Sequence, residues 1–114
     1  MSEMKVNTYQ VYRGTEILKR PNGWEGIPLA IDFTSVTDEV GGVKIVKAGT
    51  PISLAGVAAN TADAAGILLE DVFETRPVGT ILKKAYIDKE RAETHSGVTI
   101  DAAVLTALPM IVLE

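Results

Sequence analysis

The chain has 114 residues, a formal net charge of −4 at pH 7 and no cysteine. This length allows one domain with a single modest core, and the negative charge excludes a generally basic nucleic-acid binder. The lack of cysteine excludes disulfides and thiolate chemistry. We expect a soluble protein made in the cytoplasm, because the sequence has no signal peptide and no run near the roughly 18 apolar residues of a membrane helix.

The segment 1–20 is locally basic, and its side chains alternate without giving a clean buried face. One interpretation is a frayed terminus, which is common at the ends of domains. The other is an extended arm that orders by adding a strand to the sheet of a partner. In the second case Tyr9, Val11 and Tyr12 are the anchoring side chains, since aromatic residues bring large contact areas.

A turn at Pro21-Asn22-Gly23 separates this arm from a domain that spans residues 21–114. Trp24 follows directly, and we interpret it either as a ring that covers the edge of the core or as an interface anchor. From Ile27 to Thr34 larger apolar residues alternate with small or polar ones, which predicts a half-buried strand. Pro28 favours a position at the edge of a sheet.

The centre of the chain predicts two strands joined by a corner. Val43–Lys47 is the first strand, the turn residues Ala48–Pro51 follow, and the second strand begins at Ile52. After a loop of small residues, the compact apolar run Ala64–Leu69 predicts a buried strand. Within it, Gly66 is expected to let another backbone approach closely.

Acidic residues then accumulate at Glu70, Asp71 and Glu74. Their spacing lacks the order of a calcium-binding loop, so we interpret them as a solvated connector. The run Thr80–Ile87 predicts a strand whose side chains alternate between two faces. The two predicted sets are Leu82, Lys84 and Tyr86 on one face, and Ile81, Lys83, Ala85 and Ile87 on the other.

The stretch Asp88–Gly97 is the most polar of the chain and predicts a surface loop. It contains the only histidine, His95, which we interpret as a lone surface side chain. Catalytic groups are brought together by tertiary structure, and this run by itself holds no such arrangement. An enzyme would be favoured if two of the following side chains converged in one pocket: Asp32, Asp71, Asp88 and His95.

The segment Thr99–Leu108 predicts one short helix, with Thr99 as its cap, Asp101 in its first turn and Pro109 as its stop. The final run Met110–Leu113 predicts a short apolar strand. Four apolar residues in such a position need to pair and to be buried, which suits a subunit contact.

Three motifs follow one another in a fixed order: Gly49-Thr50-Pro51-Ile52, then Ala64-Ala65-Gly66-Ile67-Leu68, then a strand that follows Gly79. Together they resemble the lambda-like head decoration proteins of tailed bacteriophages, which are small β-rich proteins that clamp the outside of a capsid. The resemblance extends from about Val43 to the end of the chain.

The resemblance implies a mostly β fold, with a small β-barrel or β-tulip-like domain, one short C-terminal helix and an extended N-terminal arm. It implies a homotrimer on the capsid surface of the virion, made in the host cytoplasm, that binds the major capsid protein and stabilises the shell. No enzyme activity, cofactor, metal, nucleic acid or membrane is expected. The candidate capsid-binding residues of the arm are Val6, Tyr9, Val11 and Tyr12, and the interface candidates are Trp24, Met110, Ile111 and Leu113.

Two other interpretations stay open. One is another small β-rich virion protein, such as a subunit of the tail tube. The other is a barrel module of the lipoyl or biotinyl kind, suggested by the strand, turn and strand that carry Gly49 and Gly56. Such modules need a modifiable lysine at the tip of a hairpin, for which Lys83-Lys84-Ala85 and Asp88-Lys89-Glu90 are poor substitutes.

Overall fold

The computed structural model describes residues 16–114, which form two β-sheets and two helices. In chain order the strands are β1 (Glu25–Ala30), β2 (Glu39–Val40), β3 (Val43–Val46), β4 (Pro51–Ser53), β5 (Ala64–Leu68), β6 (Val72–Phe73), β7 (Val78–Ile87) and β8 (Ile111–Leu113). Helices α1 (Lys89–Ser96) and α2 (Ala102–Ala107) come between β7 and β8 in the chain. The predicted mostly β class is confirmed, and neither helix is long and apolar enough to cross a membrane.

The larger sheet has five strands, in the order β1-β7-β5-β4, with β8 pairing in parallel to the end of β7. The smaller sheet has the order β2-β3-β6, and the remaining pairs of both sheets are antiparallel. The strands of residues 16–114 do not close into a barrel, because β1 and β4 end the larger sheet without pairing to each other. The predicted barrel is therefore wrong, whereas the edge position predicted from Pro28 is confirmed for β1.

The larger sheet separates two hydrophobic cores. The helix-side core consists of Ile17, Leu18, Ala48, Ala64, Ile67, Leu82, Ala85, Ile87, Ala92, Ile100, Val104, Leu108 and Ile111. The sheet-side core consists of Ile31, Val46, Ile52, Ala65, Leu68, Val72 and Ile81. Strand β5 contributes to both cores and is buried at every position. A Cβ at Gly66 would lie 2.8 Å from the carbonyl oxygen of Leu82 in β7. The predicted close approach of another backbone to Gly66 is therefore confirmed.

The predicted corner carries the chain from the smaller sheet to the larger one, since β3 and β4 belong to different sheets. Gly49 has φ +93°, a conformation that L side chains rarely adopt. The corner is fastened to β5, because the amide of Gly49 donates to the carbonyl of Leu68 at 2.9 Å. The amide of Leu68 in turn donates to the carbonyl of Thr50 at 2.9 Å.

Strand β7 contains a bulge that reverses the predicted assignment of its faces. Glu25 lies opposite Lys84 while Gly26 lies opposite Leu82, so Lys83 is an extra residue in β7. After the bulge, Ala85 and Ile87 lie in the same helix-side core as Leu82. The two predicted sets of side chains are therefore wrong beyond Lys83.

The polar stretch predicted as a loop forms helix α1, so the prediction of a single helix is wrong. Asp88 caps it by accepting from the amide of Arg91 at 3.0 Å, and the helix ends at Gly97 with φ 74°. Its described buried residue is Ala92. With so small an apolar face, the hydrophobic periodicity that identifies helices is absent from this run.

The predicted C-terminal helix is confirmed as α2, although its cap is not the predicted one. The carboxylate of Asp101 accepts from the amide of Ala103 at 2.9 Å. Thr99 instead supplies a backbone carbonyl to the side-chain amide of Asn60, at 2.8 Å. The predicted terminal strand is confirmed as β8.

Candidate functional site

The described chain enters the domain along the end of β7. Leu18 pairs with Ile87 in an antiparallel bridge, and the amide of Lys19 donates to the carbonyl of Tyr86 at 2.8 Å. Ile17 is fully buried, and its carbonyl accepts from the amide of Asp88 at 2.8 Å. This segment therefore runs antiparallel to the end of β7.

The predicted arm candidates Val6, Tyr9, Val11 and Tyr12 lie outside the described residues. The last five residues of the predicted arm, 16–20, are described and belong structurally to the domain, because Ile17 and Leu18 lie in the helix-side core. Arg91 secures this segment by donating from Nη1 to the carbonyl of Glu16 at 3.0 Å. The boundary of the domain therefore precedes the predicted turn at Pro21.

The structure separates the four predicted interface residues into two groups. Trp24 and Met110 lie on the surface, with 39% and 57% of their area exposed. Ile111 is buried at 5% in the helix-side core, and Leu113 is half-buried against it. Alternation along β8 places Ile111 and Leu113 on the same side of the sheet, since neighbouring residues of a strand point to opposite faces. In this fold Ile111 is therefore a core residue and offers no contact surface.

On the opposite face of the same strands, apolar side chains are exposed. Tyr86 and Val112 are register neighbours on β7 and β8, with 39% and 41% of their area exposed. The guanidinium of Arg20 lies 4.4 Å from the centroid of the Tyr86 ring, a cation–π contact. Arg20 also makes two hydrogen bonds to the carboxylate of Glu114, of 3.2 Å from Nε and 3.0 Å from Nη2.

A second ion pair joins Lys84 and Glu25 across β7 and β1, with 3.9 Å between Nζ and Oε2. We call this surface the Tyr86 face, and it consists of Arg20, Glu25, Lys84, Tyr86, Val112 and Glu114. Its charged side chains are paired with one another around an apolar centre.

The structure also brings Asp71 and His95 together, with 2.7 Å between Oδ1 and Nε2. Their side chains are 12% and 22% exposed, so neither the solvated connector predicted for Asp71 nor the lone surface histidine is correct. The same oxygen of Asp71 accepts from the amide of Ala48 at 2.9 Å. This carboxylate therefore links the corner, the loop before β6 and helix α1.

His95 borders an open depression of about 580 Å³ that is also lined by Lys47, Asp88, Glu90, Arg91 and Thr94. An aspartate bound to a histidine can orient the imidazole for acid–base chemistry. Here Asp88 is engaged as the cap of α1, and the pair Asp71–His95 also fastens the helix to the corner. Among residues 16–114, no cluster of three or more histidine, aspartate or glutamate side chains is suited to hold a metal ion.

No family model, no curated protein and no solved structure matches this chain.

Sequence reasoning missed the contacts that join distant parts of the chain. Arg20 and Glu114 are 94 positions apart, and Asp71 and His95 are 24 positions apart. No local motif relates the members of either pair. The exposure of Tyr86 depends on the bulge in β7, for which the alternating pattern of the sequence carries no signal.

Proposed function

We propose that this protein is a structural component of a bacteriophage virion, a head decoration protein that binds the outer surface of the capsid and stabilises it. The observation that carries the proposal is the position where the chain joins the domain. Residues 17–19 pair with the end of β7, so the described chain enters the domain at an edge of the larger sheet. A domain of this kind is suited to present a terminal arm to a partner.

The resemblance to decoration proteins supports the proposal, because its motifs fall on residues that build the fold. Gly49, Thr50 and Pro51 form the corner between the two sheets, and Ala64–Leu68 is the buried strand β5. Gly79 lies in β7, where a Cβ would come within 2.5 Å of a methyl group of Val72. We include in the proposal the tulip-like arrangement of that family, in an open rather than a closed form.

The proposed mechanism is additive and involves no chemistry. Val6, Tyr9, Val11 and Tyr12 of the arm bind the major capsid protein, and Trp24 and Met110 are further contact candidates on the domain. Copies associate as a homotrimer, so several individually weak contacts act together. Such tethering raises the effective affinity by about 10²–10⁴. No cofactor, metal, nucleic acid or membrane takes part in this mechanism.

The alternative virion role is in the tail tube, which the same β-rich domain would also suit. The lipoyl or biotinyl alternative meets an obstacle in the positions of its candidate lysines. Lys83 and Lys84 lie in β7, and Lys89 is the first residue of α1. None of the three lies at the tip of a hairpin, which is where such a module needs its lysine.

The test is sedimentation of the purified protein with expanded empty capsids of the phage that encodes it. We expect the full chain to sediment with the capsids and a chain lacking residues 2–15 to bind much more weakly. The deletion stops before Glu16 because Ile17 and Leu18 belong to the core, and both chains should unfold at nearly the same temperature. If the full chain stays in the supernatant at micromolar concentration, the decoration role is wrong.

Acid–base catalysis is a second candidate function, favoured by the hydrogen bond between Asp71 and His95 beside the depression. In such a site the imidazole would act as a general base on a water molecule. The test is hydrolysis of a panel of nitrophenyl esters and phosphates by the wild-type protein and by His95→Gln. Turnover that is lost in the variant would support an enzyme. Absent or equal turnover would reject this function.

A further inference from the structure

The turn that leads into β1 contains an asparagine followed directly by a glycine, Asn22-Gly23. We propose that Asn22 is a site of spontaneous deamidation, at which the side chain loses ammonia and the link to Gly23 is rearranged. This inference is independent of the proposed decoration function. It rests on the exposure of the turn, on the freedom of its reacting groups, and on the way the two ends of the turn are fixed.

The reaction needs only the two residues and water. The backbone nitrogen of Gly23 loses its proton to hydroxide and attacks Cγ of Asn22, and the side-chain nitrogen leaves as ammonia, which produces a cyclic succinimide. Water then breaks one of the two C–N bonds of this ring. Opening at the side-chain carbonyl gives aspartate, whereas opening at the main-chain carbonyl gives isoaspartate, whose backbone runs through Cβ and Cγ. The net change consumes one water, releases one ammonia and adds one negative charge.

The structure leaves the reacting groups of this turn open. Residues 19–25 are all exposed. Gly23 has φ +80°, and a Cβ added there would meet no heavy atom within 4 Å. Glycine also lacks the side chain that in other residues shields the backbone nitrogen. Within residues 16–114, neither the side chain of Asn22 nor the amide of Gly23 makes a hydrogen bond, so no such bond has to break before the nitrogen meets Cγ.

The ends of the turn are fixed, whereas its centre is not. Before the turn, the amide of Lys19 donates to the carbonyl of Tyr86 in β7 at 2.8 Å. After the turn, β1 begins at Glu25 and pairs with the same strand. Residues 20–24 therefore form an excursion between two segments that are both held by β7. A longer backbone at Asn22 is accommodated within this excursion, and the core contacts on either side are kept.

Asn60 has the opposite arrangement and provides an internal control. Its Nδ2 donates to the carbonyl of Thr99 at 2.8 Å, and its Oδ1 accepts from the amide of Asp101 at 2.9 Å. The next residue is Thr61, whose branched side chain crowds the backbone nitrogen that would attack. Both hydrogen bonds have to break before a succinimide can form, and each adds to the barrier. We therefore expect Asn60 to stay intact under conditions in which Asn22 reacts.

The experiment incubates the full chain in mildly alkaline buffer and follows both asparagines by peptide mapping with mass spectrometry. A synthetic peptide of residues 19–26, blocked at both ends, reports the rate of the same reaction without the fold. Asn22→Gln is the matched variant, since glutamine keeps the amide but has to close a larger ring, which forms more slowly. Circular dichroism checks that both proteins are folded.

We expect Asn22 of the folded chain to react within about tenfold of the rate in the peptide, because an exposed turn needs no opening of the fold. Asn60 is expected to react about tenfold more slowly than Asn22 or slower still, and Asn22→Gln to keep its amide. The products at position 22 are aspartate and isoaspartate, and the rate rises with pH because hydroxide removes the proton of the attacking nitrogen. The proposal is overturned if Asn22 stays intact in the folded chain while the peptide reacts, or if Asn60 reacts as fast as Asn22.

Discussion

Replacing Gly49 by alanine tests how tightly the corner between the two sheets is enclosed. The φ of +93° at Gly49 is unfavourable for alanine, which costs about 1–2 kcal/mol. The added Cβ would also lie 2.6 Å from the carbonyl oxygen of Ala92 in helix α1. A backbone atom cannot rotate away as a side chain can, so the helix has to shift, and overpacking of this kind costs about 1–3 kcal/mol.

The two contributions predict that Gly49→Ala lowers the free energy of unfolding by about 2–5 kcal/mol. Small domains have about 5–15 kcal/mol in total, so this variant is expected to fold but to be severely weakened. The matched control is Gly42→Ala. Gly42 has φ +82°, but a Cβ added there would meet no heavy atom within 4 Å, so only the conformational cost applies.

The assay is urea unfolding monitored by circular dichroism. If the dependence of the unfolding free energy on urea concentration is the same in the variants and in wild type, a shift of the midpoint reports a change of stability. The difference between the two variants isolates the contact with α1 and is expected to be about 1–3 kcal/mol. Equal destabilisation by the two substitutions would refute the claim that α1 is packed against the corner.

Two further predictions concern local hydrogen bonds. Asp101→Ala is expected to lose about 1 kcal/mol of stability because Asp101 caps α2, while Thr99→Ala loses less, and equal losses in urea unfolding would contradict the assigned cap. Thr34 donates hydrogen bonds to the carboxylate of Asp32 from its hydroxyl and from its amide. These bonds, the one from the hydroxyl more than the one from the amide, hold the pKa of Asp32 below its ordinary value of 3.8. The stabilisation from this carboxylate is therefore present above the unfolded pKa and lost as the pH falls through the folded pKa. NMR titration checks it, with Thr34→Val expected to raise the pKa, and a wild-type value at or above 3.8 would contradict the assignment.

The elements whose signals are local could be predicted from the amino-acid sequence. Gly49 and Pro51 mark the corner, and the run Ala64–Leu68 is apolar at every position apart from the glycine that close packing requires. The terminal strand β8 follows from an apolar run after Pro109. Each of these elements depends on residues within a few positions of one another. Glycine and proline restrict the backbone locally, and a short apolar run favours burial by itself.

Helix α1 depends on tertiary contacts, although its capping residues Asp88 and Gly97 are visible in the sequence. A helix of this length is marginal on its own, and its stability comes from packing. Ala92 packs against Gly49, and Asp71 binds His95, so the partners come from other parts of the chain.

The exposed side of β7 and the open edges of the larger sheet also depend on contacts between distant parts of the chain. One extra residue at Lys83 reverses the faces of the strand, because the side chains of a strand alternate with a period of two. The bulge exists only in relation to the partner strand β1, so the alternation in the sequence of β7 cannot reveal it. Closure likewise depends on whether β1 and β4 meet, which is a property of the pairing between distant strands and not of either strand alone.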